Sequence, residues 1–351
     1  MKSRITLCLV AMFAVLLLVP ASWADWGTSF KSLGKTPTIG DASCVSPASG
    51  QVWCAMRNQQ HTMMVNEFTS GAWSGWTNLP GSIASNPSCA SDQLGHIMCG
   101  VVNDQSSMGV IEFDGTNWGA FQDSGIVTSL DPSCSFYKKG KVFCAVRSVA
   151  GALTGSLFDG TAWAKVVTAK GVTITTAPGC ASDSNGDVIC EMLGMVNNLQ
   201  VIEVNRFIGT KWEGFLTLPG NGADGATCTS LGTKGQVACF IRAINTVIYG
   251  DQFKSGTWTT TNWTGFVALT SNSEQKSSCG QVSSGSIACA FINQSDSLMY
   301  ARTFDGTNWG SYLKVGTVPS IGGPSCSGLS SGNVLCVVIG TNTQAQSVTG
   351  P

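Results

Sequence analysis

Past the first two dozen residues, apolar positions come in short runs that Gly, Ser and Thr interrupt before a helical period can form. An amphipathic helix needs apolar residues at i, i+3 and i+4 over ten or more positions, and no window keeps that pattern. Another position repeats instead. Val52, Ile97, Val142, Val188, Val237, Ile287 and Val334 are all β-branched, and each stands two residues before a cysteine. Residues two apart share a face of a strand, so each of these side chains points the same way as its cysteine. The strand continues past the cysteine, as in Cys144-Ala-Val-Arg147.

Each of these cysteines has a partner upstream: Cys44 with Cys54, Cys89 with Cys99, Cys134 with Cys144, Cys180 with Cys190, Cys228 with Cys239, Cys279 with Cys289, and Cys326 with Cys336. In six pairs the intervening residues divide as three, a three-residue loop and three, and the loop ends in Gly50, Gly95, Gly140, Gly186, Gly285 or Gly332. A three-residue hairpin needs a positive φ at that place, which Gly adopts without steric cost. The pair Cys228 and Cys239 is one residue longer, and the extra residue enlarges only the loop, which still ends in Gly235. Equal arms set the two cysteines opposite each other on adjacent antiparallel strands, a geometry that suits a disulfide.

A second hairpin follows in each unit. Phe68 and Trp73, Phe113 and Trp118, Phe158 and Trp163, Phe207 and Trp212, Phe253 and Trp258, and Phe304 and Trp309 are separated by four residues with a Gly among them. Two hairpins per unit make four short strands, and successive first cysteines lie 45 to 51 residues apart. That period and content predict an all-β, seven-bladed propeller with four antiparallel strands and one hairpin disulfide per blade. The seventh unit ends at Pro351 before a Phe-x4-Trp turn, while Trp26-Gly-Thr-Ser-Phe30 matches Trp118-Gly-Ala-Phe121. The N-terminal segment is therefore expected to supply the outer strand of the last blade.

The ends and totals narrow the setting. Lys2 and Arg4 precede an apolar run from Ile5 to Val19, followed by Pro20 and Ser22-Trp23-Ala24, the layout of a signal peptide over residues 1–24. The propeller then occupies residues 25–351. Of the 15 cysteines, Cys8 lies in the leader and the remaining pairs fit an exported, disulfide-forming chain without a membrane span in its mature part. Charged residues make up 11% of the chain, the net charge is −1, and no basic run tracks a phosphate backbone, so nucleic acid is not an expected partner.

Gly140-Lys-Val-Phe-Cys-Ala-Val-Arg147 with Leu157-Phe-Asp-Gly-Thr-Ala-Trp163, and Gly235-Gln-Val-Ala-Cys-Phe-Ile-Arg242 with Trp258, resemble the repeats of seven-bladed propeller lectins of the Photorhabdus fucose-binding type. The likeness runs through all seven units. It implies glycans or glycoconjugates as partners, held in clefts between neighbouring blades. The cysteine pairs are not part of the likeness.

Candidate binding residues fall into two sets. Trp73, Trp118, Trp163, Trp212, Trp258 and Trp309 fit either sugar stacking or packing between blades. Arg57, Arg147 and Arg242 occupy a position that is apolar in other blades, so each must find backbone carbonyls or a ligand as acceptor. A more variable tier, Trp76, Phe121, Val166, Phe215, Phe266 and Tyr312, is where selectivity would sit. Catalysis has little support. His61 and His96 lie in different blades, Asp183-Ser-Asn-Gly-Asp187 lacks the Glu of a calcium loop, and Asp114, Asp159 and Asp305 recur in equivalent turns as structural residues do. No catalytic residue, metal ligand or cofactor is assigned. The expected function is a secreted, multivalent carbohydrate-binding propeller, with a non-catalytic protein-binding scaffold or surface component as the alternative.

Overall fold

In the computed structural model, which describes residues 26–270, 272–329 and 332–351, seven antiparallel sheets stand around one axis. The leader and Cys8 lie outside the described residues. Blade 2 shows the plan: Ser88–Ser91 is innermost, followed outward by Ile97–Val102, Ser107–Phe113 and Gln122–Val127. The only helical element among the described residues is a 3₁₀ turn at Thr260–Asn262.

Every expected disulfide forms. Blades 1 to 4 hold Cys44 to Cys54, Cys89 to Cys99, Cys134 to Cys144 and Cys180 to Cys190. Blades 5 to 7 hold Cys228 to Cys239, Cys279 to Cys289 and Cys326 to Cys336. The two cysteines of each pair face each other in the strand register, with Cα atoms 4.0–4.1 Å apart. The longer blade 5 hairpin keeps this pairing, so its extra residue is confined to the loop. The hairpin glycines take positive φ, from +76° at Gly50 to +95° at Gly95. The seven β-branched residues before the second cysteines are each 0% exposed, which places that strand face in the cores between blades.

The ring closes as the terminal sequence predicts. Lys31–Ser32 pairs antiparallel with Ala345–Gly350 as the outer strand of blade 7, and the Gly27 amide donates to the Thr349 carbonyl at 2.9 Å. Val334 pairs with Gly350 where Val52 pairs with Phe68 in blade 1, so Gly350 occupies the phenylalanine position of the Phe-x4-Trp turn. A Cβ there would fall 2.4 Å from the Trp26 indole. The last blade therefore fills with one ring from the N-terminus the space that other blades fill with two.

A feature not read from the sequence joins the innermost strands. Ser43, Ser88, Ser133, Ser278 and Ser325 directly precede first cysteines, and each hydroxyl accepts the amide of the next blade's first cysteine at 2.8–2.9 Å. In blade 4 the position is Gly179, where a Cβ would lie 2.2 Å from the Ala226 carbonyl oxygen. That interface closes by backbone approach instead.

Candidate functional site

The strands have two ends, and the candidate residues divide between them. The second strand of each blade starts at the cysteine hairpin and runs toward the end that carries the connections to the next blade. Trp73 pairs with Phe68, which pairs with Val52 at the hairpin end, whereas Arg57 pairs with Met63 at the connection end. Five residues of strand separate the two levels, about 16 Å at 3.3 Å per residue. The tryptophans and the arginines therefore do not form one site.

At the hairpin end each tryptophan packs on its own blade's phenylalanine, with ring centroids 5.0–5.4 Å apart. Each also leans on the preceding blade. Indole nitrogens donate from Trp73 to Ser347 Oγ at 3.0 Å, from Trp212 to the Val167 carbonyl at 3.1 Å and from Trp258 to the Gly214 carbonyl at 2.9 Å. Trp163 makes a longer contact to the Gln122 carbonyl at 3.5 Å. Trp118 meets Trp53 with centroids 5.7 Å apart, and Trp309 meets Phe240 at 6.1 Å. In blade 5 an insertion brings a further indole, and Trp263 rather than Trp258 bridges to Phe253. These half-buried rings act as struts between blades. Asp114, Asp159 and Asp305 stabilise the same turns, each accepting two backbone amides within three residues, and those bonds hold their carboxyls below the usual range.

At the connection end the arginines bind protein. Arg57 Nη1 donates to the Ala84 carbonyl, Arg147 Nε donates to the Ile174 carbonyl at 2.7 Å, and Arg242 Nη2 lies 3.7 Å from Asp224 Oδ2. Nε of Arg57 and of Arg242 is buried without a hydrogen-bond partner.

The same end carries a cleft that recurs. Between blades 4 and 5 a cavity of about 380 Å³ is lined by Pro219-Gly220-Asn221, Ile202, Ile241, Asn245, Tyr249 and Phe266. Between blades 1 and 2 the equivalent residues, Gly81, Ser82, Val101, Gln105, Gly109 and Phe121, line a cavity of about 230 Å³. Both clefts start from the tripeptide Leu-Pro-Gly, at 79–81 and 218–220, with the leucine buried. Gly81 has φ +95°, and a Cβ on it would fall 2.8 Å from the Phe121 ring, so Gly keeps that ring close to the connection. The main difference is Tyr249 against Gly109, which gives the blade 4/5 cleft a second aromatic wall. Its hydroxyl accepts from Asn245 Nδ2 at 3.2 Å. Between blades 5 and 6 the corresponding rings, Tyr300 and Tyr312, are stacked on each other with centroids 4.6 Å apart. Thus the variable tier supplies the cleft aromatics, and the doubled Leu-Pro-Gly was the signal in the sequence for where they lie.

Beneath the blade 4/5 cleft lies a buried acid that the sequence did not single out. Ile189 and Leu193 pack toward blade 5, so Glu191 between them faces the same way. It is fully buried with neither carboxylate oxygen hydrogen-bonded. Burial first, then the charge of Asp251, pushes its pKa well above the ordinary glutamate value. A carboxyl with a raised folded-state pKa binds its proton more tightly when folded, so stability falls as pH rises above the unfolded value. Glu191→Gln is expected to raise Tm at pH 7.5 and change it little at pH 4, as read by thermal melts at the two pH values; equal shifts at both would contradict this placement.

No protein-family model and no curated protein matches the chain. Solved structures do. The BP39L lectin from Burkholderia pseudomallei superposes with TM-score 0.75 at 11% identity, covering 90% of this chain and 96% of that one. The chain shares the fold of the propeller lectins. The six-bladed fucose-recognising lectin of Aleuria aurantia gives TM-score 0.55 at 13% identity, covering 89% and 92%. The Hadza microbial sialidase Hz136 gives TM-score 0.51 at 11% identity, covering 86% and 74%, so the architecture also extends to an enzyme. Among the described residues no group of three or more His, Cys, Asp or Glu is placed to hold a metal ion, and no helix is long and apolar enough to cross a membrane.

Proposed function

We propose that this protein is an exported carbohydrate-binding propeller, and that the clefts at the connection end hold the sugar. The observation that carries the reading is the recurrence of one cleft design at two blade boundaries, with an aromatic wall, aliphatic floor and amide-bearing rim. A pyranose presents C–H groups on one face and hydroxyls at its edge, and a cleft with one aromatic face and a few rim donors complements that division. Ile202, Ile241 and Tyr249 make the blade 4/5 cleft more apolar than its counterpart, which favours a sugar bearing a methyl group. The Aleuria aurantia lectin recognises fucose and the SapL1 lectin is solved with α-methyl fucoside, and fucose is such a sugar. The tryptophans of the hairpin end are assigned to packing in this reading, and Arg57 to bracing the blade 1/2 connection.

Repeated shallow sites gain effective affinity on a surface that carries many copies of the ligand. Seven disulfides suit an oxidising compartment, in keeping with export. A glycan array probed with the multimerised protein tests the reading. Retention of fucosylated glycans without their turnover is expected, and retention of no glycan would overturn it in favour of a protein-binding scaffold.

A further inference from the structure

The axial channel ends in a cavity that belongs to none of the clefts. At the hairpin end it opens into a bowl of about 680 Å³ walled by the first strands of all seven blades, with no charged side chain among its described lining residues. The opposite mouth, about 280 Å³, carries Asp41, Asp131 and Lys276. Both cavities reach Cys89, Cys134, Cys180 and Cys228, so the disulfide ring divides the channel into a neutral bowl and a charged mouth.

Two residues past each first cysteine the chain faces the bowl. The position holds Ser46, Ser91, Ser182 and Ser230 in four blades, Gln281 and Gly328 in two others, and Phe136 in blade 3. Phe136 is half-buried and belongs to no core cluster, unlike the other phenylalanines of its blade, Phe143 and Phe158. Core packing therefore does not account for it. Ser91 Oγ accepts the Gln93 amide at 3.1 Å and Ser182 Oγ accepts the Ser184 amide at 3.3 Å, which leaves both hydroxyl protons available to donate.

We propose that this bowl is a separate binding site that takes one uncharged, hydroxyl-rich ligand per propeller, the end of a neutral oligosaccharide. A charged ligand would lose hydration there without gaining a counter-charge, and a purely apolar one would strip water from hydroxyls it could not satisfy. A sugar ring satisfies both surfaces, with its C–H face on Phe136 and its hydroxyls on Ser91, Ser182 and Gln281. The site does not depend on the clefts, because it lies at the opposite end of the strands.

The test uses full-length protein with maltotetraose, chitotriose and 2′-fucosyllactose as probes, read by saturation-transfer NMR and calorimetric titration. In a Phe121→Ala/Tyr249→Ala/Phe266→Ala background, which removes the aromatics of both described clefts, at least one probe is expected to bind with a stoichiometry of one. Phe136→Ala in the same background should weaken that binding about tenfold, the effect of losing one aromatic stacking contact. Ser91→Leu, which removes a hydroxyl donor and narrows the bowl, should weaken it at least as much, and serves as the readout if Phe136→Ala does not fold. Absence of binding by all three probes in the cleft-deleted background overturns the proposal, as does binding that neither bowl substitution changes.

Discussion

Trp26→Ala is expected to cost about 3–5 kcal/mol, the usual range for deleting a buried aromatic ring, and to lower Tm by on the order of 5–10 °C. Trp26 is 8% exposed and packs with Val338 and Val348 of blade 7 and with Val315, Ala290 and Met299 of blade 6. It covers Gly350, at the position where Phe stands in the other six blades. Its loss leaves the last blade without either ring and loosens the chain ends from each other. A Trp26→Ala/Gly350→Phe variant restores a ring at the phenylalanine position and should recover part of the loss in the same melts. A single Trp26→Ala variant that melts like the wild type would contradict closure through the N-terminal segment.

Reduction of the disulfides is the second large effect. Each closes a hairpin loop of about ten residues, worth roughly 2–3 kcal/mol on the chain-entropy model, and neighbouring staples in one ring do not simply add. The second cysteines, Cys54, Cys99, Cys144, Cys190, Cys239, Cys289 and Cys336, are all 0% exposed and the first cysteines border the axial channel, so in the folded ring a reductant approaches each bond from that channel and from one sulfur. Reductant alone is therefore expected to act slowly, and reductant with moderate urea quickly, lowering the urea midpoint far below that of the oxidised protein. Matching midpoints before and after complete thiol release, counted by alkylation and mass spectrometry, would show that the bonds add little to the fold.

The fold was legible because each blade repeats its rule. The β-branched residue, the cysteine and the loop glycine fix strand faces and register seven times, and a slip of one residue would turn every Val or Ile outward. Closure was legible from a mismatch, a seventh cysteine pair without a seventh Phe-x4-Trp turn. The Ser-Cys dipeptide was equally visible in five units, yet its role depends on the next blade, some 46 residues on, and local strand periodicity carries no such information.

The site was less legible for the same reason. A tryptophan in a turn has one local environment whether it stacks on a sugar or on the preceding blade, and only the assembled ring shows Trp212 donating to Val167 and Trp258 to Gly214. The clefts join a connection, a second strand and an outer-strand aromatic from residues as far apart as Ile202 and Phe266. Glu191 gives no signal in sequence, since its cost comes from the blade that covers it.

Whether the connection-end clefts hold the sugar is tested by a calorimetric titration of wild-type and Phe121→Ala/Phe266→Ala proteins with α-methyl fucoside. Saturable binding to the wild type and at least a tenfold loss of affinity at the cleft sites in the double variant are expected, with Tm held within a few degrees. Wild-type affinity retained by the double variant, or lost instead in a Trp212→Phe variant that keeps Phe121, Tyr249 and Phe266, would place the sugar elsewhere on the ring.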